Sequence, residues 1–201
     1  MNEAKYIQHN PQTQEGSEGL AALFQRLSKI SPRVNVVRAF EDGDFVFGHT
    51  EYDFATRRIG FEEFRFEDGQ AVEHWDNIQA RLGPNESGRS MVDGPTEATD
   101  HDLTENNRAF VRSFFETVLV GGQLDRLAAP HAEHRQIDYQ RVHRVLAEGN
   151  FVLSVSEGAF GGVHSACYDL FRVADEKQVE HWDTTEKIAP RSEWKNDNGK
   201  F

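Results

Sequence analysis

The chain has 201 residues, 37% hydrophobic, 28% charged and 11% aromatic, with 34 acidic against 22 basic side chains and a formal charge of −12. That length holds one large or two small domains, and a negative field without a basic cluster disfavours nucleic acid and anionic membrane surfaces as partners. The lone Cys167 excludes an internal disulfide and a multi-cysteine metal site, no apolar run reaches the roughly 20 residues of a membrane span, and no apolar leader directs export, so the expected compartment is the cytoplasm.

In chain order, Tyr6-Ile7-Gln8-His9-Asn10-Pro11 reads as a strand end running into an Asn-Pro turn. Residues 17–29 place Leu20, Leu23, Phe24 and Leu27 on one helical stripe behind Ser17 as N-cap. Strands follow at 34–40, 44–54, 58–67 and 70–79, separated by the turn pairs Asp42-Gly43 and Asp68-Gly69. A stretch over 83–103, rich in Gly, Pro, Ser, Thr and acids, reads as a linker. Residues 105–119 then place Phe110, Phe114, Phe115 and Val118 on a second stripe behind Thr104, and a short helix is expected over 122–129. The last strands are expected at 137–147, 150–160, 163–174 and 177–187, with a hairpin at Gly161-Gly162. Strands joined by such short links pair antiparallel. A few helices on one face of an antiparallel sheet give an α+β class.

The chain repeats itself. VRAFEDGDFV at 37–46 returns as HRVLAEGNFV at 143–152, 106 positions on, and VEHWD at 72–76 returns unchanged at 179–183, 107 positions on. One residue has therefore been inserted between the two matches. We read repeat one over 1–82, a linker over 83–103 and repeat two over 104–201.

Within each repeat His74 and Asp76, or His181 and Asp183, lie two apart on a strand and share a face, while Trp75 and Trp182 take the other. Such a pair is either an acid–base couple tuned by burial or a structural bond that fixes sheet register. The phenol, imidazole and amides of Tyr6, His9 and Asn10 suit the polarisation of a carbonyl or enolate-like oxygen. His131 and His134 have helical metal spacing without a third ligand, and His9, His74 and Asp76 would make a two-His-one-carboxylate set. Neither is strong enough to expect a metal. With no phosphate loop, serine elbow or CxxC, no cofactor is expected either. Cys167, on a strand, reads as a small core residue.

The order Tyr-Ile-Gln-His-Asn-Pro, a Gly-flanked amphipathic helix, strands and then Val-Glu-His-Trp-Asp resembles the SnoaL-like branch of the nuclear transport factor 2-like superfamily. The resemblance covers nearly the whole chain, and the tandem form with its tail Pro190–Phe201 is similar to a two-repeat bacterial group. It implies tandem cone-shaped α+β barrels, each a strongly curved antiparallel sheet wrapped around helices with a pocket inside. It also implies pairing through the convex sheet faces, as a pseudo-dimer within the chain or a homodimer. Members include polyketide cyclases, ketosteroid isomerase and dehydratases beside noncatalytic proteins.

The activity so implied is cofactor-independent proton transfer next to a carbonyl (isomerisation, aldol-type cyclisation or dehydration) on a small hydrophobic substrate. The alternatives are a noncatalytic small-molecule-binding module and a structural dimer. The resemblance puts His74, Asp76, His9 and Asn10 in catalytic positions and Tyr6, Trp75, His181 and Asp183 against the ligand. Asn10 stands where ketosteroid isomerases place an aspartate base and cannot abstract a proton, which leaves His74, Asp76 or His9. Asp76 is nearest to the cyclases' aspartate. The chain also departs from the pattern: family units open with two helices, where repeat one has five residues before Tyr6. Repeat two passes from Pro130 to Ile137 without the His-Asn-Pro segment.

Overall fold

The computed structural model describes residues 1, 6–29, 32–54, 56–85, 88–123 and 137–201. They form two compact units, Met1–Glu97 with Ile188–Phe201, and Ala98–Lys187. The tail, which the duplication pattern groups with the second repeat, packs in the first unit. The helix expected over 122–129 falls largely on residues outside those described, as do His131 and His134.

The first unit contains β1 (Ile7–Gln8), α1 (Gly16–Ser28), β2 (Arg33–Asp42), β3 (Phe45–Asp53), β4 (Arg57–Glu67) and β5 (Gln70–Ala80). Its sheet runs β1-β5-β4-β3-β2; β1 is parallel to β5 and every other pair is antiparallel. The second unit contains α2 (Thr104–Ser113), continued by a π-helical stretch over Phe114–Leu119, then β6 (Ile137–Glu148), β7 (Phe151–Phe160), β8 (Val163–Ala174) and β9 (Lys177–Lys187) in sheet order β6-β7-β8-β9. The eight long strands form close to their expected bounds because period-two patterning and turn pairs agree at each of them.

The duplication is written into the ladders. The register of β2 on β3 slips at Val37, and that of β6 on β7 slips at His143, 106 positions on. The β4–β5 ladder slips at Val72 and the β8–β9 ladder at Val179. Bulges at matched places impose the same local bend on both sheets, and so aim the residues after Val72 and Val179 alike.

The expected α+β fold of tandem cone-shaped barrels is not what forms. Among the described residues the molecule is mostly β, 50% strand against 19% helix, with two helices and two sheets. Neither sheet closes among the described residues: β2 and β1 end one, β6 and β9 the other. The apolar stripe of α2 packs into a core of Val111, Phe115, Val118, Leu119, Tyr139, Val145, Val152, Cys167 and Phe171. Among the described residues the α1 stripe has no such cover, since Phe24 is 61% exposed and Leu23 and Leu27 are half-buried; the side chain of Leu20 lies outside the described residues. Helix α1 starts at Gly16 after Glu15, not behind Ser17. Thr104 is the first residue of α2 rather than its cap, and its hydroxyl accepts the Gly149 N–H at 2.9 Å.

Three hairpins turn through two residues at positive φ: Asp68-Gly69, Gly161-Gly162 and Asp175-Glu176. That geometry matches strand twist but costs an L-residue about 1 kcal/mol, and Glu176 sits at φ 54° without glycine's freedom. Glu176→Gly is therefore expected to stabilise the second unit by about 0.5–1 kcal/mol. Denaturant unfolding checks it, and an unchanged midpoint would contradict the assigned turn.

Candidate functional site

Ladder register puts Asp76 opposite Glu62, and His74 opposite Phe64 with Gln8 on its other side. Alternation then sets Gln8, Glu62, His74 and Asp76 on one face of the first sheet. Gln8, Glu62, His74 and Asp76 are all buried.

His74 Nδ1 lies 3.1 Å from Gln8 Oε1, an atom that also receives the Asn10 N–H at 2.9 Å. A backbone N–H only donates, so this atom is the amide oxygen and Nδ1 must carry a proton. Nε2 lies 2.9 Å from Glu62 Oε2, while Glu62 Oε1 accepts the Tyr52 hydroxyl at 2.6 Å. Both imidazole nitrogens are thus committed, and no lone pair remains to accept a substrate proton. Burial works against the His74 charge, but the hydrogen bond and charge of Glu62, with the charge of Asp76, hold its pKa above the usual range; Lys200 opposes them.

The consequence for stability has a definite sign. A histidine whose folded pKa is raised contributes stability that is full below its unfolded value, about 6.5, and is lost as pH rises through the folded value. Unfolding free energy is expected to fall over that window, and Glu62→Gln is expected to flatten the fall. Denaturant unfolding between about pH 6 and 9 reads both. An equal slope in the variant would show that another group carries the dependence.

Asp76 is oriented from two sides. Its Oδ2 accepts Asn10 Nδ2 at 2.8 Å, and Asn10 Oδ1 accepts the Gln12 N–H at 2.8 Å, which fixes the amide. Its Oδ1 is buried without a hydrogen-bond partner. The Lys200 ammonium stands 3.7 Å from that oxygen and donates to the Asp76 main-chain carbonyl at 2.7 Å. Lys200 reaches this place because the tail clasps the turn after β1. Asn196 Nδ2 donates to the carbonyls of Asn10 and Thr13, Asn198 Nδ2 donates to the Gln8 carbonyl, and the Lys195 N–H donates to that of Pro11. Tyr6 is half-buried, and burial with the negative charges of Asp76 and Glu62 pushes its phenol up to about 12. It therefore stays a hydrogen-bond donor at neutral pH.

Of the residues singled out in the sequence, His74, Asp76 and Asn10 come together, and Tyr6 lies within reach of their charge. His9 does not join them. It stacks on Trp75 at 4.6 Å, Nε2 donates to Glu73 Oε1 at 2.9 Å, and Nδ1 lies 3.3 Å from the Gly199 carbonyl. Arg65 Nε holds the other Glu73 oxygen at 2.7 Å, and though burial opposes it, these two hydrogen bonds keep the Glu73 carboxyl below its usual range. Trp75 alternates to that same opposite face, 4% exposed and 5.9 Å from Phe45, and packs there rather than against the His74 side.

The second unit repeats the couple with a different tyrosine. His181 Nε2 lies 2.9 Å from Asp169 Oδ1, and the Tyr139 hydroxyl donates to the same carboxylate at 3.1 Å. Asp169 is the 107-position counterpart of Glu62, and Asp183 pairs opposite it as Asp76 pairs opposite Glu62. Phe115 packs edge-on against Tyr139 at 5.4 Å, and Phe171 stacks on His181 at 4.7 Å as Phe64 stacks on His74 at 4.4 Å; His181 and Asp183 are half-buried. Cys167 is buried beside it, its thiol pushed up by burial and by the Asp169 charge, and is inert as a nucleophile.

Glu62, Tyr52, Asp169, Tyr139 and Lys200 were not singled out in the sequence. Matched acids at 62 and 169 on either side of the duplication were the available signal; nothing local marks Lys200. Glu62, His74 and Asp76 also have ligand-type atoms within 4.8 Å of one another. Both His74 nitrogens face acceptors, and Lys200 already brings a positive charge to Asp76. The set therefore fits a shared proton and an ammonium better than a metal ion.

No helix among the described residues is long and apolar enough to cross a membrane. No protein-family model matches the chain, and no curated protein matches it.

Proposed function

We propose that the first unit catalyses cofactor-independent proton transfer next to a carbonyl on a small hydrophobic substrate, with Asp76 as the base. One observation carries this reading: a buried carboxylate held by Asn10 through Oδ2 while Oδ1 has no hydrogen-bond partner. Oδ1 takes the α-proton and becomes the acid O–H. The electron pair moves to the substrate oxygen as an enolate, the Asp76 acid exchanges its proton with water, and a proton from Asp76 is then delivered to that carbon or to a conjugate one. Tyr6, kept protonated, is the donor to the enolate oxygen in this proposal. His74 acts electrostatically, because both its nitrogens are engaged. The tandem VEHWD strands and the Tyr6–Pro11 segment support kinship with SnoaL-like proteins as part of the same proposal.

The test is loss of deuterium from a ketone labelled at its α-carbon, followed by NMR with the whole chain in ordinary water. Washout above the buffer rate supports the reading; buffer-rate washout across a panel of enolisable ketones overturns it.

A further inference from the structure

Three side chains of the first unit converge on Gly60. A Cβ at that position would lie 2.6 Å from Glu62 Oε1, 2.6 Å from Tyr52 Cε2 and 2.8 Å from Thr50 Oγ1, all inside the 3.0 Å that real Cβ contacts keep. The backbone does not ask for glycine there: Gly60 is buried within β4, its φ is not positive, and its register with Thr50 and Ile78 carries no bulge. A glycine inside a strand weakens it and marks a place that another group approaches closely. Here those groups belong to the site. Thr50 Oγ1 donates to the Gly60 carbonyl at 3.1 Å, and the Tyr52 hydroxyl donates to Glu62 Oε1 at 2.6 Å, which leaves Oε2 for His74 Nε2 at 2.9 Å. The duplication supplies the contrast. Thr50 returns as Ser156, whose hydroxyl donates to the Cys167 carbonyl at 3.0 Å, so the same two strands are tied at the same place. Gly60, however, returns as Cys167 and Tyr52 as Gly158. Where the position of Gly60 regains a side chain, the tyrosine is gone, and a Cβ at Gly158 would lie 2.5 Å from the Asp138 carbonyl oxygen. The phenol that meets the acid there is Tyr139, from β6.

We infer that Gly60 is a positioning residue: its bare Cα is the seat on which Tyr52 and Thr50 hold the Glu62 carboxylate against His74, beside Asp76. The groups that face His74 are Glu62 from β4, Asp76 from its own strand, Gln8 from β1 and Lys200 from the tail, with Phe64 stacked on the ring at 4.4 Å. Glu62 is the one bonded to Nε2, so its orientation decides whether the imidazole keeps its second proton. A methyl group at position 60 displaces Glu62 Oε1 and the Tyr52 ring together. Because those two are bonded, the carboxylate turns with the phenol and Oε2 leaves Nε2. The bearing of this seat on proton transfer rests on the function proposed above; the seat itself does not.

The test is the titration of the His74 ring, followed by NMR in the whole chain labelled with ¹⁵N-histidine. Gly60→Ala is expected to lower the His74 midpoint by at least about one pH unit, a tenfold loss of proton affinity. In a Tyr52→Ala background the same change is expected to lower it by less than about 0.3 unit, because the carboxylate can then turn into the space of the lost ring with Oε2 still on His74. Circular dichroism checks folding. Should Gly60→Ala alone not fold, the double variant decides: it folds if Tyr52 is what excludes the methyl group. Three results overturn the inference: a folded Gly60→Ala with the parent midpoint, an equal fall in both backgrounds, or a double variant that does not fold. Deuterium washout on the same proteins separates this claim from the earlier one. Buffer-rate washout in the parent overturns the proposed function and leaves the His74 result standing.

Discussion

Asp76→Asn is expected to reduce α-proton exchange by about 10²–10⁴-fold while leaving the first unit folded. The substitution keeps the shape of the side chain and an oxygen for Asn10 Nδ2, so the turn after β1 remains tied to β5. It removes the one group in the cluster able to take a proton. His74 cannot substitute, because Nδ1 faces the fixed Gln8 oxygen and Nε2 faces Glu62. Glu62 cannot either, since one oxygen accepts Tyr52 and the other is bonded to His74. Tyr6→Phe is expected to cost less, about 10–100-fold, because it removes a donor to the developing oxyanion and not the base. Washout measured on the three proteins checks the order. An Asp76→Asn rate within about threefold of the parent would move the base elsewhere.

The strands and their turns were legible because each depends on neighbours in sequence: alternating patterns, Asp-Gly and Gly-Gly pairs, and the VEHWD identity. The pairing of His74 with Asp76 was legible for the same reason, as two side chains on one strand share a face. What was not legible depends on partners far away along the chain. Glu62 meets His74 across a hairpin, at a register set by the Val72 bulge. Lys200 meets Asp76 across 124 residues. His9 follows Gln8 by one residue, so once β1 pairs parallel to β5 with Gln8 beside His74, alternation turns His9 to the opposite face, against Glu73 and Trp75. The helices failed as a fold argument for a physical reason too. An apolar stripe predicts a helix from local spacing, but whether a sheet lies beneath it is a tertiary matter; α2 has one and Phe24 of α1 does not.

The second large effect concerns the tail. Lys200→Met is expected to destabilise the first unit by about 3–5 kcal/mol near neutral pH, the cost of leaving one member of a buried charge pair behind. Lys200 is 4% exposed and Asp76 5%, so neither charge has bulk water to fall back on. The loss reaches beyond the pair. Lys200 ends a strap in which Asn196 and Asn198 hold the carbonyls of Gln8, Asn10 and Thr13, and those residues in turn present Asn10 to Asp76. Asp76→Asn alone is expected to cost about 1–2 kcal/mol, since Lys200 Nζ keeps the Asp76 main-chain carbonyl. The double variant Lys200→Met with Asp76→Asn is then expected to cost less than the sum of the two single changes. The difference is the coupling between ammonium and carboxylate, which denaturant unfolding of the four proteins measures directly. A strictly additive result would mean that Lys200 acts on the carbonyl alone and that the Asp76 carboxylate is stabilised by other groups.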